Sequence, residues 1–505
     1  MEIYRVKSQQ VEWSLVSRVD IVRTVPEYPS PPFSPNIRYP EYLFDDFSVQ
    51  NNYVYDGVRE LLIHLRLDER NLGKKAWNPL SFIKPGDTVA VKPNLVSSRH
   101  FRSGNILSVI THASVLRPLV DFALIALKGK GKVIIADSPE RMTDFDLILE
   151  KSGIRELAEY YDKHDIDIPV IDLRLERIKY GLGAIVRRED LLGDPEGYSL
   201  VNLGVDSCFD ELSGKKLGRL YGADYNRRVT LRHHSRGKHE YEMANTILKS
   251  DVVISVPKLK THKKAGISLN MKGFIGCAGN KNLVPHRTLG DPSNGGDSYP
   301  GPPVTKRGLI VRRVQDLLQD NLLGVTESKP SAILYTLILR AFKLLLRPPR
   351  DDLKYGGGQW HGNDTLWRGI VDLARIVYYA DKAGKMRDKT QRKFLSVIDG
   401  IYGADREGPI EPRLRKEGVL LGGLNPVELD VVGAQLMGFD YRKINQIQKA
   451  LEKHRYDLSL NVDDVEIVSD EKKFETLFKL KRNETLAFEP AEQWRGKIEL
   501  EEQVR

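Results

Sequence analysis

Short apolar runs alternate with longer stretches of helical spacing along most of the chain. "GDTVAVKPNLV", "GKVIIADSPE", "DIPVIDL", "SDVVISVPKLKTH", "KFLSVIDGIYG" and "GVLLGGLNPVELD" read as strands. Between them "YDGVRELLIHLRL", "THASVLRPLVDFALIALKG", "FDLILEKSGIRELAEYYDKH", "LWRGIVDLARIVYYADKAG" and "VVGAQLMGF" place apolar residues on one helical side. Asn363, Asp364 or Thr365 can cap the fourth of these helices. Strands alternating with helices predict βαβ units, hence an α/β fold with a parallel or mixed open sheet flanked by helices and inserted irregular segments.

The same pattern divides the chain. Residues 1–53 form an extension with a Pro-rich connector, and 54–175 the first βαβ half of the core. An insertion at 176–245 precedes a basic segment of the core at 246–300. A second insertion, 301–368, holds a basic amphipathic helix and a Gly-rich loop; 369–470 completes the core and 471–505 is a tail.

Four of the apolar runs end in polar side chains: Lys92 and Asn94, Asp137 and Ser138, Lys258 with Lys260 and His262, and Asp399. In an open α/β sheet the carboxyl ends of parallel strands lie along one edge, where ligands bind, so these residues are expected to converge on one crevice. Lys92, Lys258 and Lys260 suit a phosphate or carboxylate as compact point charges. His262, Lys260 and Asp399 are the catalytic candidates. Lysines around His262 lower its proton affinity and keep it neutral and basic. Asp137 and Asp399 could hold a divalent cation or act as acid and base; Asp137 could equally cap a turn, since D-S-P is a turn sequence. Ser138, Asn270 and Lys272 complete the substrate-binding candidates, with small residues at Ala265, Gly266, Gly273 and Gly276 letting backbone approach a ligand. Lys263 and Lys264 are expected on a solvated rim.

Other motifs are weaker. His233, His234 and His239 in "RHHSRGKH" match no metal-ligand spacing and read as a solvated loop. Trp360, His361 and Trp367 could stack on a sugar, or be buried. "GNKNLVPHR" adds Lys281, His286 and Arg287. No P-loop sequence occurs.

Composition narrows the partners. A net charge of +9 favours an anionic small molecule, a glycan or a membrane surface, and no zinc-finger spacing or aromatic-basic signature supports nucleic acid. Cys208 and Cys277, the two cysteines, give no cluster motif, which excludes an iron–sulfur centre held by this chain and suits a reducing cytoplasm. "MEIYRVKSQQVEW" lacks the apolar run of a signal peptide. "SAILYTLILRAFKLLLR" (331–347) is apolar with one basic stripe, Arg340, Lys343 and Arg347; it is either a helix packed on the core or one that lies on the inner membrane face.

The blocks "VAVKPNLV", "IADSP", "VPKLKTHKKAGISLNMKGFIG", "VIDGIYG" and "NPVELDVVGAQLMGFD" resemble the family known as domain of unknown function 362. The resemblance runs from about 85 to 445 and places Lys92, Asn94, Lys258, Lys260, His262, Lys272, Asp399 and Asp430 in the family's characteristic blocks. Many members carry ferredoxin-like cysteines, which this chain lacks. "GNKNLVPHR" and "GNDTLWR" resemble a long subgroup encoded among surface-polysaccharide genes. That resemblance implies a setting in cell-surface glycan synthesis; with the basic crevice, the expected function is an enzyme acting on an anionic, phosphorylated or carboxylated, carbohydrate-related substrate. Isomerisation or racemisation beside a carbonyl, and a non-catalytic membrane- or polyanion-binding role, stand as alternatives.

Overall fold

The strands Thr88–Pro93 and Lys132–Asp137 are covered on both faces, which explains why their residues are apolar without alternation. Along Thr88–Pro93, Val89 and Val91 enter one core and Ala90 the other; along Lys132–Asp137, Val133 and Ile135 oppose Ile134 and Ala136. The computed structural model describes residues 17–182, 184–326, 328–354, 356–458 and 462–502. The segment "MEIYRVKSQQVEW" lies outside the described residues.

Among these the main sheet has ten strands: β1 (Arg18–Arg23), β2 (Thr88–Pro93), β3 (Lys132–Asp137), β4 (Val170–Asp172), β5 (Val252–Val256), β6 (Lys258–His262), β7 (Gly266–Ser268), β8 (Lys393–Glu407), β9 (Glu411–Gly423) and β10 (Glu466–Ser469). Their order is β10-β1-β9-β8-β5-β2-β3-β4, with β6 beside the far part of β8 and β7 beside β6. From β8 to β4 all neighbours are parallel, while β9 is antiparallel to both β1 and β8. The sheet is therefore mixed and the fold α/β.

Helices α1 (Tyr53–His64), α2 (Ala113–Leu127), α3 (Phe145–Ser152) and α4 (Ile154–Asp162) precede a second group: α5 (Lys306–Leu318), α6 (Lys329–Leu346), α7 (Leu366–Tyr379) and α8 (Pro426–Leu436). The buried residues of α1, α2 and α4 build the core on one face of the sheet; those of α7 and α8 build the core on the other. At the start of α7 the N-cap position is Thr365, and Asn363 Oδ1 takes the N–H groups of Thr365 and Leu366, so the capping side chain is that of Asn363.

The chain steps from β2 to β3 to β4 in one direction and returns to β5 and β8 on the other side of β2. Such a reversal opens a crevice beyond the carboxyl ends of the two central strands. Thr111 bridges them there: its hydroxyl donates to Val256 O at 2.7 Å and accepts the Asn94 N–H at 3.0 Å.

Several segments differ from the sequence-based division. "RVDIVR", within the expected extension, is a strand of the main sheet and pairs with "EIVS" of the expected core. Pro257 splits "SDVVISVPKLKTH" into two strands. The insertion 176–245 is ordered: a hairpin (Glu176–Gly181 with Ala184–Asp190) and a small sheet of Tyr198–Asn202, Lys238–Ala244 and His234–Ser235. His234 and His239 are buried and hydrogen-bonded to each other, so "RHHSRGKH" is no solvated loop.

Candidate active-site cleft

The basic stretch after β5 is itself a strand, and all five residues of β6 are buried. A strand can bury lysines only if something compensates each charge. The two-residue period puts Lys258, Lys260 and His262 on one side of β6, yet the three meet different surroundings.

Lys258 pairs with Asp399 at 3.0 Å, both fully buried, and also donates to the Tyr28 hydroxyl at 2.5 Å. Asp399 further accepts from Tyr28 Oη and from the N–H groups of His112 and Ile401. Tyr28 stacks on His112 at 4.1 Å, and burial beside Lys258 pushes the His112 imidazole down to about 3. Lys258, Asp399 and His112 are buried in this cluster, and Tyr28 is partly buried beside them.

Lys260 donates to Asn94 Oδ1 at 2.5 Å and Val109 O at 2.7 Å. Burial, then the charges of Lys272 and Lys258, push its amine well below its ordinary value. Because Asn94 Oδ1 is committed to Lys260, its NH2 is the part of the amide left for a ligand.

A cleft of about 390 Å³ opens beside these residues, lined by Asn94, Asp137, Ser138, His262, Lys264, Lys272, His286 and Arg287 among others. Lys92 lies beneath it and pairs with Asp137 at 2.7 Å. Asp137 also accepts the N–H groups of Leu95 and Ser138, which ties the ends of β2 and β3 together. A Cβ at Gly276 would collide with Asp137 Oδ1 and Lys92 Nζ, so only glycine lets the 274–277 turn cross this pair.

The turn between β6 and β7 supplies the rim. Gly266 takes φ +79°, which L-residues with side chains disfavour, and closes the tight reversal that pairs His262 with Gly266. Trp494 Nε1 donates to Lys263 O at 2.7 Å and braces the turn. Lys263 and Lys264 both line the cleft rather than a solvated rim; Lys263 pairs with Glu411 at 3.4 Å, and Lys264 has no such partner among the described residues.

Lys264 and Lys272 are half-buried, and neither ammonium has a hydrogen-bond or ion-pair acceptor among the described residues. Burial lowers both to about 8; Arg287 adds to the effect on Lys264 and Lys92 to that on Lys272. Lys281, buried, donates to Ile275 O and Ala278 O and is lowered by burial to about 7. Ser138 Oγ is buried without a hydrogen-bond partner among the described residues.

His262 and His286 are both held well below the ordinary imidazole value, first by burial and then by neighbouring lysines, so both are neutral near pH 7. Their hydrogen bonds select opposite tautomers. The Lys264 N–H can only donate, at 3.1 Å, so His262 Nδ1 accepts and its proton sits on Nε2. The Val284 carbonyl can only accept, at 2.7 Å, so His286 Nδ1 carries the proton and Nε2 the lone pair. The base expected at His262 is therefore a donor in this arrangement, and His286 supplies the acceptor.

A family model described as a domain of unknown function (DUF362) matches residues 89–179 and 196–435. The chain belongs to the DUF362 family. No curated protein and no solved structure matches it. The DUF362 segments contain every cleft-lining residue except Tyr180. "GNKNLVPHR" gives this DUF362 cleft Lys281, His286 and Arg287; from "GNDTLWR", Asn363 Nδ2 donates to the His286 carbonyl and Leu366 lines the wall.

The remaining sequence candidates lie elsewhere. Asn270 is fully buried; it donates its backbone N–H and its amide to Asp430 and accepts from Ser396 Oγ. Burial raises the Asp430 carboxyl to about 7. Trp360 and Trp367 are buried and line no part of the cleft. Asp137 lines the cleft and Asp399 does not, and each is already bonded to a lysine and to backbone N–H groups. This donor set does not fit a shared divalent cation, and among the described residues no group of three His, Cys, Asp or Glu could hold a metal.

Proposed function

We propose that the protein is a cytoplasmic enzyme that binds a small anionic substrate, phosphorylated or carboxylated, in the cleft at the carboxyl ends of β2, β3 and β6. One observation carries this reading: Lys264 and Lys272 place two ammonium groups in a 390 Å³ cleft with no acceptor among the described residues. The lysines of β6 itself, Lys258 and Lys260, have acceptors, so the missing partner of the other two is assigned to a ligand. The Asn94 amide and Ser138 hydroxyl are the neutral donors beside them. The carbohydrate-related, cell-surface side of the reading rests on the resemblance of "GNKNLVPHR" and "GNDTLWR", both of which build the cleft.

Inorganic phosphate tests the anion site. It should raise the thermal midpoint of the wild-type protein, and the gain should vanish in Lys264→Met/Lys272→Met but survive in Lys263→Met. No gain in the wild type, or an equal gain in the double variant, defeats the reading.

A second reading, isomerisation beside a carbonyl, is favoured by the opposite histidine tautomers. In it His286 Nε2 takes a proton from the carbon next to the carbonyl. The C–H electron pair becomes a C=C bond, the carbonyl π pair moves to oxygen, and His262 Nε2–H donates a hydrogen bond to that oxygen. Return of the proton to the other face of the same carbon, as the oxygen pair re-forms the carbonyl, inverts that centre. Where that carbon bears a hydroxyl, passage of the hydroxyl proton to the former carbonyl oxygen and return of the carbon-bound proton to the neighbouring carbon moves the carbonyl instead. Solvent deuterium entering a recovered ligand, lost in His286→Gln, supports this reading; turnover without deuterium uptake favours transfer chemistry.

A further inference from the structure

Helix α6 carries an apolar surface that the fold does not use. Ser328 Oγ caps it by accepting the Ser331 N–H, and it continues unbroken to Leu346. Ala332, Tyr335 and Leu339 face inward onto Val311 of α5 and Ala184 of the 176–190 hairpin. A second apolar stripe points outward, with Ile333 46%, Leu334 48%, Leu337 58%, Leu344 73% and Leu345 79% exposed. At ~100° per residue this stripe adjoins the inward one, and Arg340, Lys343 and Arg347 form the remaining edge. No Asp or Glu occurs from Lys329 to Arg350, and Arg350 adds a further cation at the end of that stretch.

Soluble proteins seldom expose so many aliphatic side chains on one helix. No helix among the described residues is long and apolar enough to cross a membrane. A helix that is apolar on one side and purely basic on its edge fits the boundary between lipid headgroups and acyl chains. A second copy of this chain fits less well, because a two-fold contact on this face would bring Arg340 and Lys343 near their own counterparts.

We propose that α6 is a docking surface for an anionic lipid bilayer: Ile333, Leu337, Leu344 and Leu345 insert among the acyl chains while Arg340, Lys343, Arg347 and Arg350 meet the headgroups. The hairpin packed on α6 also presents Ile178 and Tyr180 to the cleft, so docking sets the cleft next to the membrane surface. The surface stands independently of the chemistry in the cleft.

Flotation of the full-length protein with two kinds of vesicle tests this: phosphatidylcholine alone, and phosphatidylcholine mixed with phosphatidylglycerol. Binding is expected only to the mixture, falling as salt rises. Leu337→Glu/Leu344→Glu/Leu345→Glu and, separately, Arg340→Glu/Lys343→Glu should each cut the bound fraction by about tenfold. Leu344→Ser/Leu345→Ser gives a milder variant at two largely exposed positions, and an unchanged unfolding midpoint verifies folding. The proposal is overturned if the wild type ignores anionic vesicles or if the variants bind as well. A dimer that the same substitutions dissociate would also overturn it by assigning the face to a second copy.

Discussion

Two groups of lysines, fewer than twenty residues apart, solve the same problem in opposite ways. Lys258 and Lys260 lie in the sheet with acceptors on every side: Asp399 and Tyr28 for one, Asn94 and Val109 for the other. Lys264 and Lys272 lie just beyond, partly removed from water and without acceptors among the described residues. In the sequence all four look alike. Their partners separate them: the first pair is part of the scaffold, and the second is a place for something to bind.

The contrast breaks most directly at Asp399. Asp399→Asn should cost about 3–5 kcal/mol in denaturant unfolding, because it strands a buried ammonium. Lys264→Met should change stability by less than about 1 kcal/mol, as expected where no native partner is lost. Comparable losses from the two would erase the distinction. Next in size is the phosphate effect: a ligand at a hundredfold excess over its Kd stabilises by about 2.7 kcal/mol, and the double lysine variant should lose all of it.

The pH dependence sharpens the comparison further. The folded-state values of Lys264 and Lys272, about 8, lie below the ordinary lysine value, so their charge costs stability below pH 8 and the cost is relieved as pH rises toward 10.5. An anion favours the charged forms. Phosphate affinity should therefore weaken as pH rises through about 8, with proton uptake on binding, read by calorimetry in buffers of different ionisation heat. The smallest signal is spectroscopic: ¹⁵N shifts should show His262 protonated at Nε2 and His286 at Nδ1 near pH 7. Matching tautomers would remove the donor–acceptor pair.

The parts of this arrangement that sequence could reveal are those fixed by local pattern. The apolar runs of β2, β3, β5 and β8 mark strands, and their polar ends mark an edge, because burial on both faces leaves a continuous apolar signature. Strand β6 leaves none, since "KLKTH" is buried through partners more than a hundred residues away. "RVDIVR" and "EIVS" are short and partly charged, and their pairing with β9 and with each other is a long-range fact. The roles of His262 and His286 depend on one backbone N–H and one carbonyl, which no spacing rule reports.

The brace on the lysine turn also bears on how the protein is made. Trp494 reaches back across 231 positions to hold Lys263 O, and its ring packs against Gly266. On the ribosome, β2, β3 and β5 emerge hundreds of residues before that indole does. The rim of the cleft can therefore take its final shape only near the end of synthesis, after the sheet that carries it.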